Sequence, residues 1–225
     1  MTTIDSPDLH RSAPSGSDSA AAPTGRYRLV GAEGCGSAIV EAAFAMVDIR
    51  PDLETLAFDD DGGVIGARIG DLNPLREVPV LILPDGTAMT ESGAMILHLA
   101  EAAPDCGLAP SPDAPDRTAF LHRLMLLCGS IYPTYVGGAL GRSCGDALME
   151  RRKRAWRGFE TGLGDGPWVL GERFSALDLY LAVMTRWTPG FDWFRAECPK
   201  VAAIAWRAAG HPALAPVLAR NFPGA

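Results

Sequence analysis

Val78-Pro79-Val80-Leu81-Ile82-Leu83 is a near-continuous apolar run, and Pro84-Asp85-Gly86 follows it directly. Aliphatic and β-branched residues closed by a Pro-Asp-Gly turn predict a strand, with a brief return strand ending at Met89. Over 91–103 the apolar residues change to helical spacing, and Pro104 ends the pattern. Two hairpinned strands therefore feed a helix.

Toward the N-terminus, Tyr27-Arg28-Leu29-Val30 alternates as a short strand and meets the turn Gly31-Ala32-Glu33-Gly34. Residues 37–48 carry Ile39, Val40, Ala43, Phe44 and Val47 at helical spacing, with Ser37 in position for an N-cap. A strand is predicted over 53–58, then the loop Asp59-Asp60-Asp61-Gly62-Gly63 and a short helix before Asn73-Pro74. The three aspartates do not make an EF-hand: counting from Asp59, its sixth and twelfth positions hold Val64 and Gly70 instead of Gly and Glu. The element order over 26–104 reads βαβαββα, an α/β unit. Residues 1–25, built from Ser, Ala, Pro, Gly and Thr, read as a disordered tail.

Toward the C-terminus, Pro104, Pro110, Pro112 and Pro115 mark 105–115 as a linker. Everything over 116–225 reads as helical: segments at 118–132, 148–163, 177–187, 200–209 and 212–219. Ser175 and Asp178 have capping-box spacing, which gives Asp178 a structural role. The fold class is α/β plus all-α, in two domains.

The whole chain has 225 residues, 48 % hydrophobic and 21 % charged, which suits folded domains better than disorder. Twenty basic against 27 acidic residues leave a net charge of −7, which argues against a phosphate-tracking surface and so against nucleic acid. The five cysteines are scattered, with no CxxC pair and no zinc-type spacing, so neither a disulfide framework nor a metal site is expected. No apolar run approaches the roughly 18 residues of a membrane span. A reducing, cytoplasmic setting follows. His98 lies on an apolar helix face and reads as a core or interface histidine, and His122 and His211 have no partners at readable spacing.

The βαβαββα unit with Asn73-Pro74, Val78-Pro79 and Thr90-Glu91-Ser92, joined by a proline-rich linker to helices containing GERFSALDLYLA (171–182), resembles the cytosolic-type glutathione S-transferases. The resemblance covers about 27–222 and implies a thioredoxin-like first domain and a helical-bundle second domain. It also implies a cis peptide before Pro79, with Val78 pairing its backbone with the cysteinyl part of glutathione. Glu91 and Ser92 open a helix, where free amides and the positive dipole end favour an anion. The resemblance gives Ser92 the γ-glutamyl carboxylate and Glu91 the ammonium.

In this family a Tyr, Ser or Cys near the first strand–helix junction faces the glutathione sulfur. Gly34-Cys35-Gly36-Ser37 occupies that junction, and Tyr27 lies too early. A cysteine at a helix start is reactive and can bond covalently to glutathione; a serine there donates a hydrogen bond to a thiolate. Cys35 and Ser37 are both candidates, with Cys35 preferred. Tyr132 and Tyr135 are expected in the pocket of the second substrate. The implied activity is a transferase presenting a glutathione thiolate to a small hydrophobic electrophile, in a homodimer with no metal. Glutathione-dependent isomerisation, dehalogenation or ether cleavage, and a non-catalytic binding module, are the alternatives.

Overall fold

The computed structural model describes residues 25–58, 64–65, 69–135 and 145–224. The expected tail, the Asp59-to-Gly63 loop and Cys144 therefore lie outside the described residues. The first domain runs β1 (Arg28–Ala32), α1 (Ser37–Met46), β2 (Asp52–Phe58), β3 (Val64–Ile65), α2 (Ile69–Leu72), β4 (Val80–Ile82), β5 (Ala88–Met89) and α3 (Ser92–Ala102). One sheet holds the strands in the order β3-β2-β1-β4-β5. β1 pairs parallel with β2 and antiparallel with β4, so α1 is the crossover that a parallel pair requires.

Three local expectations change. β3 is a strand beyond the βαβαββα reading: Val64 and Ile65 pair with Phe58 and Ala57 as the return limb of a hairpin. Two residues are too few to carry a periodic signal. β1 extends through Gly31 and Ala32, which lie opposite Thr55 and Leu56, so the turn begins at Glu33. Ser37 is not the N-cap of α1. Gly36 holds that position without a side-chain hydrogen bond, and the Ser37 hydroxyl is used elsewhere.

The second domain runs α4 (Arg117–Leu126), α5 (Gly145–Thr161), α6 (Ala176–Met184), α7 (Phe191–Glu197), α8 (Pro199–Ala209) and α9 (Ala215–Asn221). α4 continues as a π turn over Leu127–Ile131 and a 3-10 turn over Tyr132–Thr134. α7 is an addition to the sequence reading. Its seven residues sit between two helix-breaking signals, Pro189-Gly190 and Pro199.

α6 is the centre of the molecule, with every residue buried. Its start is the expected capping box: Ser175 Oγ accepts from the Leu177 amide at 3.3 Å, and the Ser175 amide donates to Asp178 Oδ2 at 2.7 Å. Asp178 Oδ1 accepts from the Val169 amide at 2.9 Å, which ties the preceding loop to the helix. α1 packs on β1 from one side and on α3, α6 and α9 from the others. Seven of its ten residues are consequently buried, which explains the nearly unbroken apolar stretch from Ala38 to Phe44.

Candidate functional site

The antiparallel register of β1 and β4 brings two sequence motifs together. Val30 lies opposite Val80, so continuing the ladder sets Pro79 and Val78 beside the C-terminal end of β1, where the Cys35 turn begins. The Val78–Pro79 peptide is cis. Asn73 braces the approach to it. Its buried side chain donates to the Glu77 carbonyl at 2.9 Å and accepts from the Leu75 amide at 3.0 Å.

Cys35 and Ser37 share this turn in different environments. Ser37 is buried, and its Oγ accepts from the Ala32 amide at 3.2 Å and donates to the Ala32 carbonyl at 2.9 Å. Its hydroxyl thereby splices the end of β1 to the first turn of α1. Cys35 is half-buried; its Sγ lies 2.9 Å from the Ala32 carbonyl and 3.2 Å from Ser37 Oγ.

The helical domain holds the turn from two sides. Trp187 Nε1 donates to the Gly34 carbonyl at 2.7 Å, and Asn221 Oδ1 accepts from the Gly34 amide at 3.4 Å. Asn221 is itself fixed by donating to Glu41 Oε2 of α1 at 3.1 Å, and Glu41 also pairs with Arg220. Tyr132 stacks edge-on against Trp187, with ring centroids 5.5 Å apart, and its hydroxyl reaches Gly36. A Cβ at Gly36 would sit 2.0 Å from that hydroxyl, so only glycine admits the tyrosine here.

At the start of α3, Glu91 adopts φ 67° and ψ 107°, a left-handed backbone that is uncommon away from glycine and costs on the order of 1–3 kcal/mol. Ser92 follows as the first helical residue. Its Oγ is 2.8 Å from the hydroxyl of Tyr180 on α6, and Cys128 Sγ lies 3.4 Å from that same hydroxyl. Burial raises the Tyr132 pKa above the ordinary phenol value, and the nearby Cys35, Cys128, Glu77 and Glu91 push it further in the same direction.

Tyr135, expected beside Tyr132 in a substrate pocket, is committed to packing. Its hydroxyl accepts from Trp156 Nε1 at 2.8 Å, and the Arg152 guanidinium lies 4.0 Å over its ring. Burial raises its pKa to about 12. Arg152, itself buried, continues into Thr134 and Thr188, which precedes a second cis proline, Pro189. A separate hollow of about 520 Å³, walled by Phe191, Arg195, Pro199 and Trp206, contains none of these residues.

Sequence reading misses Asn221, Tyr180 and Cys128 as parts of this region, and offers Trp187 only as one of several aromatics that could line an apolar pocket or a helical core. Trp187 carries only the signal of an aromatic in an apolar helical segment, and Asn221 carries none. Both reach the turn across more than 150 residues. Among the described residues no group of three His, Cys, Asp or Glu side chains could hold a metal, and no helix is long and apolar enough to cross a membrane.

The glutathione S-transferase C-terminal domain model matches residues 143–220 and the N-terminal domain model residues 67–110. An uncharacterised GST-like protein of Escherichia coli K12, YncG, is 31% identical over 202 residues, covering 86% of this chain and 98% of that protein. The maleylacetoacetate isomerase of Pseudomonas aeruginosa is 28% identical over 162 residues, 68% of this chain and 76% of its own. A sphingomonad glutathione S-transferase solved in complex with glutathione superposes with a TM-score of 0.70 at 26% identity, covering 85% of this chain and 96% of that one. In fold, and in sequence along most of its length, the chain belongs to the glutathione S-transferase family, whose members are enzymes.

Proposed function

We propose that this protein is a glutathione-dependent transferase whose substrate lies along the line from Ser92 past Pro79 to Cys35. In this reading glutathione pairs its cysteinyl backbone with Val78 beside Pro79. Its γ-glutamyl carboxylate meets Ser92 and the free amides of α3, and its ammonium meets Glu91. The thiolate then attacks a small hydrophobic electrophile; a carbon–sulfur bond forms and the leaving group departs with the electron pair. The rate gain comes from keeping the sulfur ionised and from holding both reactants in one cleft.

The observation that carries the reading is the register of β1 and β4, which sets the cis Val78–Pro79 peptide beside the turn that holds Cys35. The Tyr132 side chain of the second domain closes on the same turn at Gly36. Cys35 is the group we assign to the sulfur, because Ser37 is buried with its only proton donated to the Ala32 carbonyl, whereas Cys35 is half-buried. Tyr132 contacts the second substrate, and Tyr135 supports it from behind through Trp187, 5.0 Å away. The reading also includes a cytoplasmic homodimer with domains at 26–104 and 116–225; the exposed apolar side chains of Leu75, Leu121 and Met125 suit a protein partner.

The similarity to an isomerase favours a second reading, in which the same site uses glutathione as a cofactor for isomerisation, dehalogenation or ether cleavage. Product analysis separates the two: conjugation consumes glutathione, whereas isomerisation returns it.

The test is iodoacetamide labelling followed by peptide mapping, with and without glutathione. Cys35 labels first of the five cysteines, and glutathione slows that labelling selectively. Retention on a glutathione resin and conjugation of 1-chloro-2,4-dinitrobenzene accompany it. Labelling of Cys35 at the same rate in saturating glutathione overturns the assignment.

A further inference from the structure

The hydroxyl of Ser92 is the polar side chain nearest the proposed γ-glutamyl end, and it does not cap its own helix. Its partner is Tyr180, a residue of the other domain, 88 positions later and fully buried. Burial holds the Tyr180 pKa well above the ordinary phenol value, so this group keeps its proton throughout the physiological range. Cys128, in the π turn after α4, contacts the same phenol oxygen. Burial raises its pKa too, and it remains a thiol. Glycine at position 93 is what lets the sulfur approach: a Cβ there would lie 3.1 Å from Cys128 Sγ.

Proton accounting orders these three groups. A phenol is a strong donor and sulfur a poor acceptor, so the Tyr180 O–H is directed to Ser92 Oγ at 2.8 Å instead of to the sulfur at 3.4 Å. The Cys128 S–H then donates to the phenol oxygen. Ser92 already receives one hydrogen bond, and its own proton is left for an acceptor in the cleft. Each bond of such a chain polarises the next and strengthens the terminal donor. The reverse order would use the Ser92 proton internally and present a lone pair, which repels a carboxylate.

We infer that Tyr180, backed by Cys128, is a positioning residue that turns Ser92 into a hydrogen-bond donor for a carboxylate, so the helical domain sets the anion selectivity of the α3 start. The inference rests on the proposed glutathione site. Its consequence is directional: removing the Tyr180 hydroxyl frees the Ser92 hydroxyl to rotate and weakens carboxylate binding without touching the ligand.

The experiment is a double-mutant cycle by titration calorimetry of glutathione into the full chain, wild type, Tyr180→Phe, Ser92→Ala and the double variant. Tyr180→Phe weakens binding about fivefold, the loss expected for one hydrogen bond. In the Ser92→Ala background the same change alters affinity less than about twofold, since there is no hydroxyl left to orient. Steady-state kinetics show the loss in KM for glutathione with kcat nearly constant, a split that general destabilisation does not produce. Should Tyr180→Phe fold poorly, Cys128→Ala removes the first donor of the chain and weakens binding in the same direction by a smaller factor. Unaltered affinity in Tyr180→Phe, or full additivity with Ser92→Ala, overturns the inference while leaving the glutathione site standing. A wild-type chain that binds no glutathione overturns both.

Discussion

Trp187 Nε1 donates to the carbonyl of Gly34 at 2.7 Å, across 153 residues of chain and from one domain to the other. Gly34 immediately precedes Cys35, and its amide is held from another side by Asn221. The turn carrying the candidate sulfur group is thus positioned by the helical domain as well as by its own β1 and α1. Geometry at a reacting thiol is sensitive to displacements on the order of 1 Å. The first domain alone therefore does not define the site.

Trp187→Phe keeps most of the ring contacts with Tyr132 and Tyr135 and deletes the donor. Unfolding in denaturant should show a loss of about 1 kcal/mol, and the rate of Cys35 alkylation should change relative to Cys106, which is half-buried elsewhere and serves as an internal reference. An unchanged ratio of the two rates would remove Trp187 from the positioning of the turn.

Gly36→Ala should displace Tyr132, since the added methyl would lie 2.0 Å from its hydroxyl and 2.9 Å from the ring carbon bearing it. Overpacking of this kind costs about 1–3 kcal/mol. Combining it with Tyr132→Phe removes the nearest atom and should restore part of the lost melting temperature. The ring carbons remain close, so full recovery is not expected. Thermal unfolding of the two single variants and the double variant measures it.

Ser37→Ala should lower stability by about 1–2 kcal/mol, because it leaves the Ala32 amide and carbonyl without the side chain that joins them. The pH profile of conjugation should keep its midpoint. A shift of that midpoint to higher pH, with little destabilisation, would transfer the sulfur-facing role from Cys35 to Ser37.

Asp178 should make stability pH-dependent. Burial raises its pKa to about 6 from an ordinary 3.8, against the opposing pull of the Val169 and Ser175 amides. The folded state therefore binds a proton that the unfolded state has released between these values. This contribution is fully present below the unfolded pKa and is lost as pH rises through the folded one, a change of about 3 kcal/mol. Asp178→Ala lacks it and also loses the cap, worth about 0.5–2 kcal/mol. Denaturation series from pH 4 to pH 7 should show the gap between wild type and variant narrowing with pH while wild type stays the more stable. A gap that widens with pH would mean that the amide hydrogen bonds outweigh burial.

The sequence by itself determined the features that depend on neighbours along the chain. The run Val78 to Leu83 with its Pro-Asp-Gly turn, the apolar period of α1 and α3, and the Ser175–Asp178 box are local, and the structure contains all of them. It also brought Cys35, Ser37, Pro79 and Ser92 forward through the resemblance of its short motifs to the glutathione S-transferases, which assigns roles by position in the chain. Only the tertiary structure decided what those residues face. Ser37 and Cys35 stand two positions apart and both touch the Ala32 carbonyl, yet packing buries the Ser37 hydroxyl at the end of β1 and leaves Cys35 only half-buried. Trp187, Asn221 and Tyr180 act on the site through hydrogen bonds spanning 88 to 187 residues, and no periodicity or local propensity encodes a partner at that distance. Hydrogen bonds are directional and short, so a side chain acquires its role only when packing has fixed both ends of the bond.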